Sequence, residues 1–262
     1  MNAKIVVDGS ATGAPGAIAG ILVGFGSSDN CYTTGSVKVT SGTLTFTGGL
    51  IGFGYAVSNS HSTASISITG TNVTNGAIEV GGVIGAAAGS NGISNSFATG
   101  AVTSTMPEGH VDAGGLVGIT NDGTNVISDS YATGAVSATT NGDDFSVAET
   151  GGLVGSMAMQ LADSYATGTV YAAGGTSGGL ATAAGGLIGW EASTGTIGDG
   201  YWDTTTSGTK TGVGQRSESG VTGLTNSQFQ AGLPKGFAPK IWREKKKINH
   251  GLPYLSADPP AR

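Results

Sequence analysis

The chain has 262 residues, 49 of them glycine, with 11% charged residues, 6% aromatic residues and a net charge of −6. A globular enzyme of this length carries about 25% charged residues and roughly half this glycine. The lack of a strict Gly-x-y period excludes collagen, a hydrophobic share of 38% excludes simple disorder, and the negative charge argues against a nucleic-acid partner.

The opening MNAKIVVDGS has no long apolar core of the kind a signal peptide needs. That leaves a cytoplasmic chain, a mature or excised piece, or export by another route. No apolar run reaches the ~18 residues of a membrane span. Cys31 is the only cysteine, so no intrachain disulfide forms and cystine content does not report the compartment.

From Gly20 onward one word recurs: GILVG at 20–24, GGLIG at 48–52, GGVIG at 81–85, GGLVG at 114–118, GGLVG at 151–155 and GGLIG at 185–189. A second word keeps step with it. It reads DNCYTTG from Asp29, SNSHSTA from Ser58, SNSFATG from Ser94, SDSYATG from Ser128, ADSYATG from Ala162 and GDGYWDT from Gly198. The period is about 34 residues, long enough for one structural unit of a repeat protein.

The units read as strands. Short blocks of Val, Ile, Thr and Tyr lie between Gly, Asn and Asp, and no segment holds a 3.6-residue period for three turns. Turn dipeptides punctuate them at Asn75-Gly76, Asn91-Gly92, Asp122-Gly123 and Asn141-Gly142. Stacking the units turns each motif position into a column, with neighbours ~4.8 Å apart. The aliphatic column is Leu22, Leu50, Val83, Leu116, Leu153 and Leu187. The aromatic column is Tyr32, His61, Phe97, Tyr131, Tyr165 and Tyr201. A small-residue column (Cys31, Ser60, Ser96, Ser130, Ser164, Gly200) and an Asn/Asp column (Asn30, Asn59, Asn95, Asp129, Asp163, Asp199) precede it.

The fold expected is therefore all-β, a parallel β-solenoid (β-helix) of about six coils over residues 1–202. The aromatic stack is expected inside, with the drifting middles of the units as outward loops. From residue 203 the words stop and prolines and charges enter, so 203–262 reads as a C-terminal cap or linker covering an exposed sheet end. The run Arg243 to Lys247 reads as a solvated surface.

The pairing of GGLVG with SYATG, the closing YWDT and the terminal W…GLPYL resemble the GLUG repeat of bacterial filamentous-haemagglutinin-like surface adhesins, other large secreted adhesins and the non-catalytic parts of IgA-cleaving peptidases. The resemblance spans about residues 18 to 255 and is sharpest in the third to fifth units. In the earlier units Ile21 replaces a glycine, His61 the aromatic and Ala64 the last glycine. The family implies export and surface display.

No HExxH, GxSxG, P-loop or CxxC pattern is present, and His61, His110 and His250 have no ligand spacing. Cys31 and His61 sit in structural columns. No catalytic residue or organic cofactor is expected. One acidic feature stands out: Glu79, Asp112 and Glu149 each lie two residues before the glycine pair. Stacked, they form a carboxylate column offering a weak Ca²⁺ site, with three solvated loop carboxylates as the plainer reading.

The function expected is a non-catalytic structural or adhesive module of a bacterial surface or extracellular filament protein. Its partners would be a host or neighbouring-cell ligand or copies of itself. Ile241, Trp242, Leu252, Tyr254 and Leu255 would make a head-to-tail assembly element. The alternative is a carbohydrate-engaging β-helix of a phage tailspike or polysaccharide-acting enzyme, for which Tyr171 and Trp190 are the loose aromatics.

Overall fold

The computed structural model describes residues 1–9, 16–41, 43–71, 76–89, 91–121, 125–141, 146–177, 180–192, 195–216 and 219–260. Asn75, the Asp122-Gly123 turn and Gly142 lie outside the described residues; Asn91-Gly92 lies within them, with Gly92 at φ 67°.

Parallel strands stack in register to form a β-solenoid of about five turns, and one of its sheets holds six strands, which mark off five turns between them. Those six are Ala17–Gly20, Thr45–Gly48, Ala77–Gly81, His110–Gly114, Val147–Gly151 and Ala183–Gly185. Facing this middle sheet on one side is a ladder through Asn2–Gly9, Tyr32–Ser41, Ser65–Gly70, Val102–Thr105, Val136–Thr139 and Val170–Ala173. On the other side runs a ladder through Val23–Asp29, Ile51–Ser58, Ile84–Ala87, Val117–Thr120, Val154–Met157 and Ile188–Glu191. The stack continues past Trp202: Val213–Gln215 pairs with Ile188–Glu191, and Val221–Leu224 with Thr196–Asp203.

Two apolar clusters fill the coils. Ile66, Ile68, Val102 and Val136 pack against Ile78, Val80, Val111 and Ala113 in the first. The aliphatic column of the repeated word fills the second together with Ile93, Ile127 and Leu161. Those three lie in the drifting middles, so the expectation of outward loops there is corrected. Each middle contributes a buried strand residue, because a coil needs an apolar side chain opposite Leu116 as much as it needs Leu116.

The two words are coupled across this second cluster. A Cβ built on Gly115 would collide with the Gly152 carbonyl oxygen and stand 2.7 Å from the Ala132 Cβ. One built on Gly82 would stand 2.6 Å from the Ala98 Cβ, and one on Gly152 2.9 Å from that of Ala166. The glycine pair of GGLVG and the alanine of SYATG therefore keep each other small.

Between the words the chain bends. Asn30, Asn59, Asn95, Asp129, Asp163 and Asp199 all adopt left-handed backbone, at φ 45–55°. Asn and Asp tolerate this region better than other non-glycine residues, which explains the column's composition. The bend interrupts the backbone ladder, and the serine column repairs it. Ser130 Oγ accepts from the Ser96 N–H at 3.2 Å and donates to the Ser128 carbonyl at 2.7 Å. Ser60, Ser96 and Ser164 repeat the pattern. Cys31 ends the column, its Sγ 3.3 Å from the Asp29 carbonyl.

After the bend the aromatic ladder stacks as the repeats imply, with centroids 4.5 Å apart for His61–Phe97, 4.8 Å for Phe97–Tyr131 and 5.1 Å for Tyr131–Tyr165. It does not stack inside. Ala98, Ala132 and Ala166 belong to the inner cluster, so the residues before them in the strands point outward. The C-terminal segment buries them there. Beyond Leu224 comes a short helix, Asn226–Phe229, started by a Thr225/Gln228 capping box. The chain then lies along the side of the stack rather than over its end. Tyr201 Oη donates to the Lys235 carbonyl at 2.8 Å, Tyr165 Oη to the Pro253 carbonyl at 2.6 Å, and Trp242 Nε1 to Asp129 at 3.0 Å. His61 Nδ1 meets Asp258 at 2.5 Å. This strap leaves Tyr131 and Tyr165 fully buried and Tyr32, at the first rung, 58% exposed.

Gly115→Ala should destabilise the fold by about 1–3 kcal/mol through overpacking. Tyr131→Ala should cost about 3–5 kcal/mol, whereas Tyr32→Ala should stay within ~0.5 kcal/mol. Urea denaturation measures all three, and equal losses at the two tyrosines would contradict the strap.

Candidate functional site

Glu79, Asp112 and Glu149 occupy consecutive rungs of the middle sheet, with Asp112 paired to Glu79 on one side and Glu149 on the other. Strand alternation decides which way they point. Val111 and Ala113 enter the first apolar cluster, so His110 and Asp112 share the opposite face. The neighbouring ladder closes over that face through the last glycine of the repeated word. Cβ atoms built on Gly118 and Gly189 would stand 2.9 Å from the Glu79 carbonyl carbon and 2.8 Å from that of Glu149.

The carboxylates are therefore not solvated loop groups, and that reading is corrected. The Asp112 side chain is 7% exposed and that of Glu149 1%. His110 joins them, its Nε2 3.1 Å from Asp112 Oδ1 and 3.6 Å from Glu149 Oε2. One donor atom from each residue falls within 4.8 Å of the others. Glu79 Oε2 and Glu149 Oε1 are buried without a hydrogen-bond partner.

Burial dominates the electrostatics. It raises the Glu79 carboxyl to about 8, helped by the Asp112 charge and opposed by His110. Glu149 rises to about 7 by burial, with the His110 hydrogen bond working against the rise. Burial disfavours the His110 cation, but hydrogen bonds to Asp112 and Glu149, and then their charges, outweigh it and hold its pKa at about 10. The arrangement is a cationic imidazole between acids, open to solvent on the His110 side.

The sequence reading found two of these three residues and missed His110. The signal was its place two residues before Asp112, which puts both on one face of a strand. Glu79 lies on the next rung, outside the His110 group. The five residues expected to join neighbouring chains have another use here. Trp242, Leu252 and Leu255 are buried in the aromatic cluster, Ile241 packs against it, and Tyr254 is 4% exposed. Of the loose aromatics, Tyr171 is 56% exposed and Trp190 lies under Arg216, 5.3 Å from its ring centroid. An aromatic patch also went unread: Phe25 stacks on Phe53 at 5.3 Å and meets Tyr55 edge-on, with Phe25 57% and Tyr55 42% exposed.

The chain matches no protein-family model, no curated protein and no solved structure. Among the described residues no helix is long and apolar enough to cross a membrane.

Stability should fall as pH rises through this site. Glu79 titrates at about 8 when folded against 4.5 when free, so between those values the folded chain holds more protons than the unfolded one. His110, raised from 6.5 to about 10, acts in the same sense over its own window. Thermal melts in chelator-containing buffer should show a lower Tm at about pH 9 than at about pH 5, with Glu79→Gln flattening the acid half of the slope. A Tm that climbs over this range would contradict the burial of these groups.

Proposed function

We propose that this chain is a non-catalytic structural and adhesive module of a bacterial surface or extracellular filament protein. The observation that carries the reading is the stack of parallel ladders from the first rung to Leu224, shifted in register at Gly26/Ser28 in the first coil and strapped along one side by the chain's own C-terminal segment. Such a stack gives length and stiffness without a globular core, and each coil depends only on its neighbours. The GGLVG and SYATG words support membership of the GLUG group, and with it display outside the cell.

Self-association has a ready surface. Asn2–Gly9, Ala17–Gly20 and Val23–Asp29 each pair with a strand on one side only among the described residues, and Val6 and Ile18 are exposed on this edge. An open parallel edge is a template for another strand. With the tail held on its own aromatic ladder, end-to-end stacking of coils is the route to a filament.

A second reading, engagement of carbohydrate, is favoured by a groove of about 1100 Å³ between the solenoid and the strap. The ladder Thr34, Thr63, Thr99, Thr133 and Thr167 lines one wall, with Tyr32 and His61 at one end and Lys246, Lys247 and His250 on the strap. Hydroxyls, aromatic faces and cations suit an acidic glycan.

Display of the chain on a non-adherent bacterium, with electron microscopy of the purified protein, tests the first reading. The expected result is adhesion above that of the anchor alone, or filaments. Isolated monomers together with no gain in adhesion would refute it. Retention on an acidic-glycan array, lost in a Lys246→Ala/Lys247→Ala variant, would favour the second.

A further inference from the structure

We propose that His110, Asp112 and Glu149 bind a divalent first-row transition cation of the Zn²⁺ type, which clips one coil of the solenoid to the next. His110 and Asp112 come from one strand and Glu149 from the strand stacked on it, so a shared ion ties successive rungs together.

The ion takes the place of the proton on His110 Nε2, which is released to solvent on binding, and the donor positions suit it without rearrangement of the backbone. Donors about 2.0–2.2 Å from a common tetrahedral or octahedral centre lie about 3–3.6 Å apart. His110 Nε2 stands 3.1 Å from Asp112 Oδ1 and 3.6 Å from Glu149 Oε2. The three donor atoms lie within 4.8 Å of one another, so the two carboxylates close on the ion by rotation of their side chains.

Burial supplies an independent pointer to a ligand. Glu149 is 1% exposed, yet its Oε1 has no hydrogen-bond partner, and Glu79 Oε2 on the rung beyond Asp112 is in the same state. A buried carboxylate oxygen without a partner is costly, and a column of acids at rung spacing adds repulsion. A dication held by Asp112 and Glu149 gives the buried Glu149 carboxylate a partner and offsets the repulsion along the column, while Glu79 stays outside its shell. The entry path exists as well, because the His110 side chain is 32% exposed while the two acids lie behind it.

The donor set selects the class of metal. Ca²⁺ takes about six to eight oxygens in a flexible shell, whereas an imidazole with two carboxylates suits Zn²⁺ and its first-row neighbours. The weak Ca²⁺ site expected from the three acids alone therefore becomes a nitrogen-containing site once His110 is included.

Tag-free protein, stripped with chelator and dialysed against micromolar Zn²⁺ or Ca²⁺, tests this by elemental analysis and titration calorimetry. The expected result is one Zn²⁺ per chain, a raised Tm with Zn²⁺, no stoichiometric Ca²⁺, and loss of the Zn²⁺ in His110→Ala. Zinc absent from the wild type, or retained one-to-one by the variant, would overturn the proposal. If the variant does not fold, X-ray absorption of the Zn²⁺-loaded wild type decides: a single imidazole in the shell supports the site, and a shell without histidine, or with more than one, refutes it.

Discussion

At the corner after the middle strand in four coils, the next coil's carbonyl passes so close to Gly49, Gly82, Gly115 or Gly152 that no Cβ fits between them. For Gly115 the obstacles are the Gly152 oxygen from the coil above and the Ala132 side chain from across the same coil. Everything else in the cross-section follows from that approach. The strands on either side of the glycine pair lie face to face because nothing holds them apart, and the residue opposite is small (Ala98, Ala132, Ala166) until the last coil, where Trp202 lies against Gly186. The aliphatic pair that follows the glycines is left to fill the space beyond. A larger residue at any of these places would disturb two coils at once, which is why both words recur together while the tips between them vary.

The second constraint is the left-handed residue before each serine. It turns the chain so that the aromatic after it leaves the interior, and it breaks a backbone ladder that the serine hydroxyls then mend. A solenoid with an outward file of aromatic rings exposes a long apolar stripe, and stripes of that kind demand a cover. This chain carries its own. The strap places Phe229, Phe237, Trp242 and Leu255 on the stripe and anchors them through hydrogen bonds at Tyr201, Tyr165 and Asp129 and the His61–Asp258 contact. The stripe is bare only at Tyr32, so the first rung differs in surface chemistry from the rest.

The acid column shows how stacking produces chemistry that a single coil lacks. One carboxylate per coil is an ordinary surface group. On adjacent rungs the three are drawn out of solvent, burial raises the proton affinity of Glu79 and Glu149, and one histidine two residues upstream of Asp112 becomes their cation. Low overall charge elsewhere in the chain makes this the densest electrostatic feature of the middle sheet. A polar clasp between rungs ties successive coils together, as the serine ladder and the strap also do.

Much of this was legible in the residues themselves. The repeat period, the parallel in-register stack and the columns follow from spacing alone, because a ladder that places each motif position over its own copy has one arrangement satisfying every rung. The Glu79, Asp112 and Glu149 column was visible for the same reason. Which face a column takes was not visible: Tyr131 and Ala132 are neighbours in sequence, and only the bend at Asp129 decides which points inward. The burial of the acids was hidden too, since it depends on how tightly another ladder packs against their backbone, as it does at Gly118 and Gly189. So was the path of the strap, whose apolar residues fit either a neighbouring chain or their own. Contacts between units at a fixed period are written in the sequence; contacts between faces, and between the stack and its tail, depend on distances that only the folded coil sets.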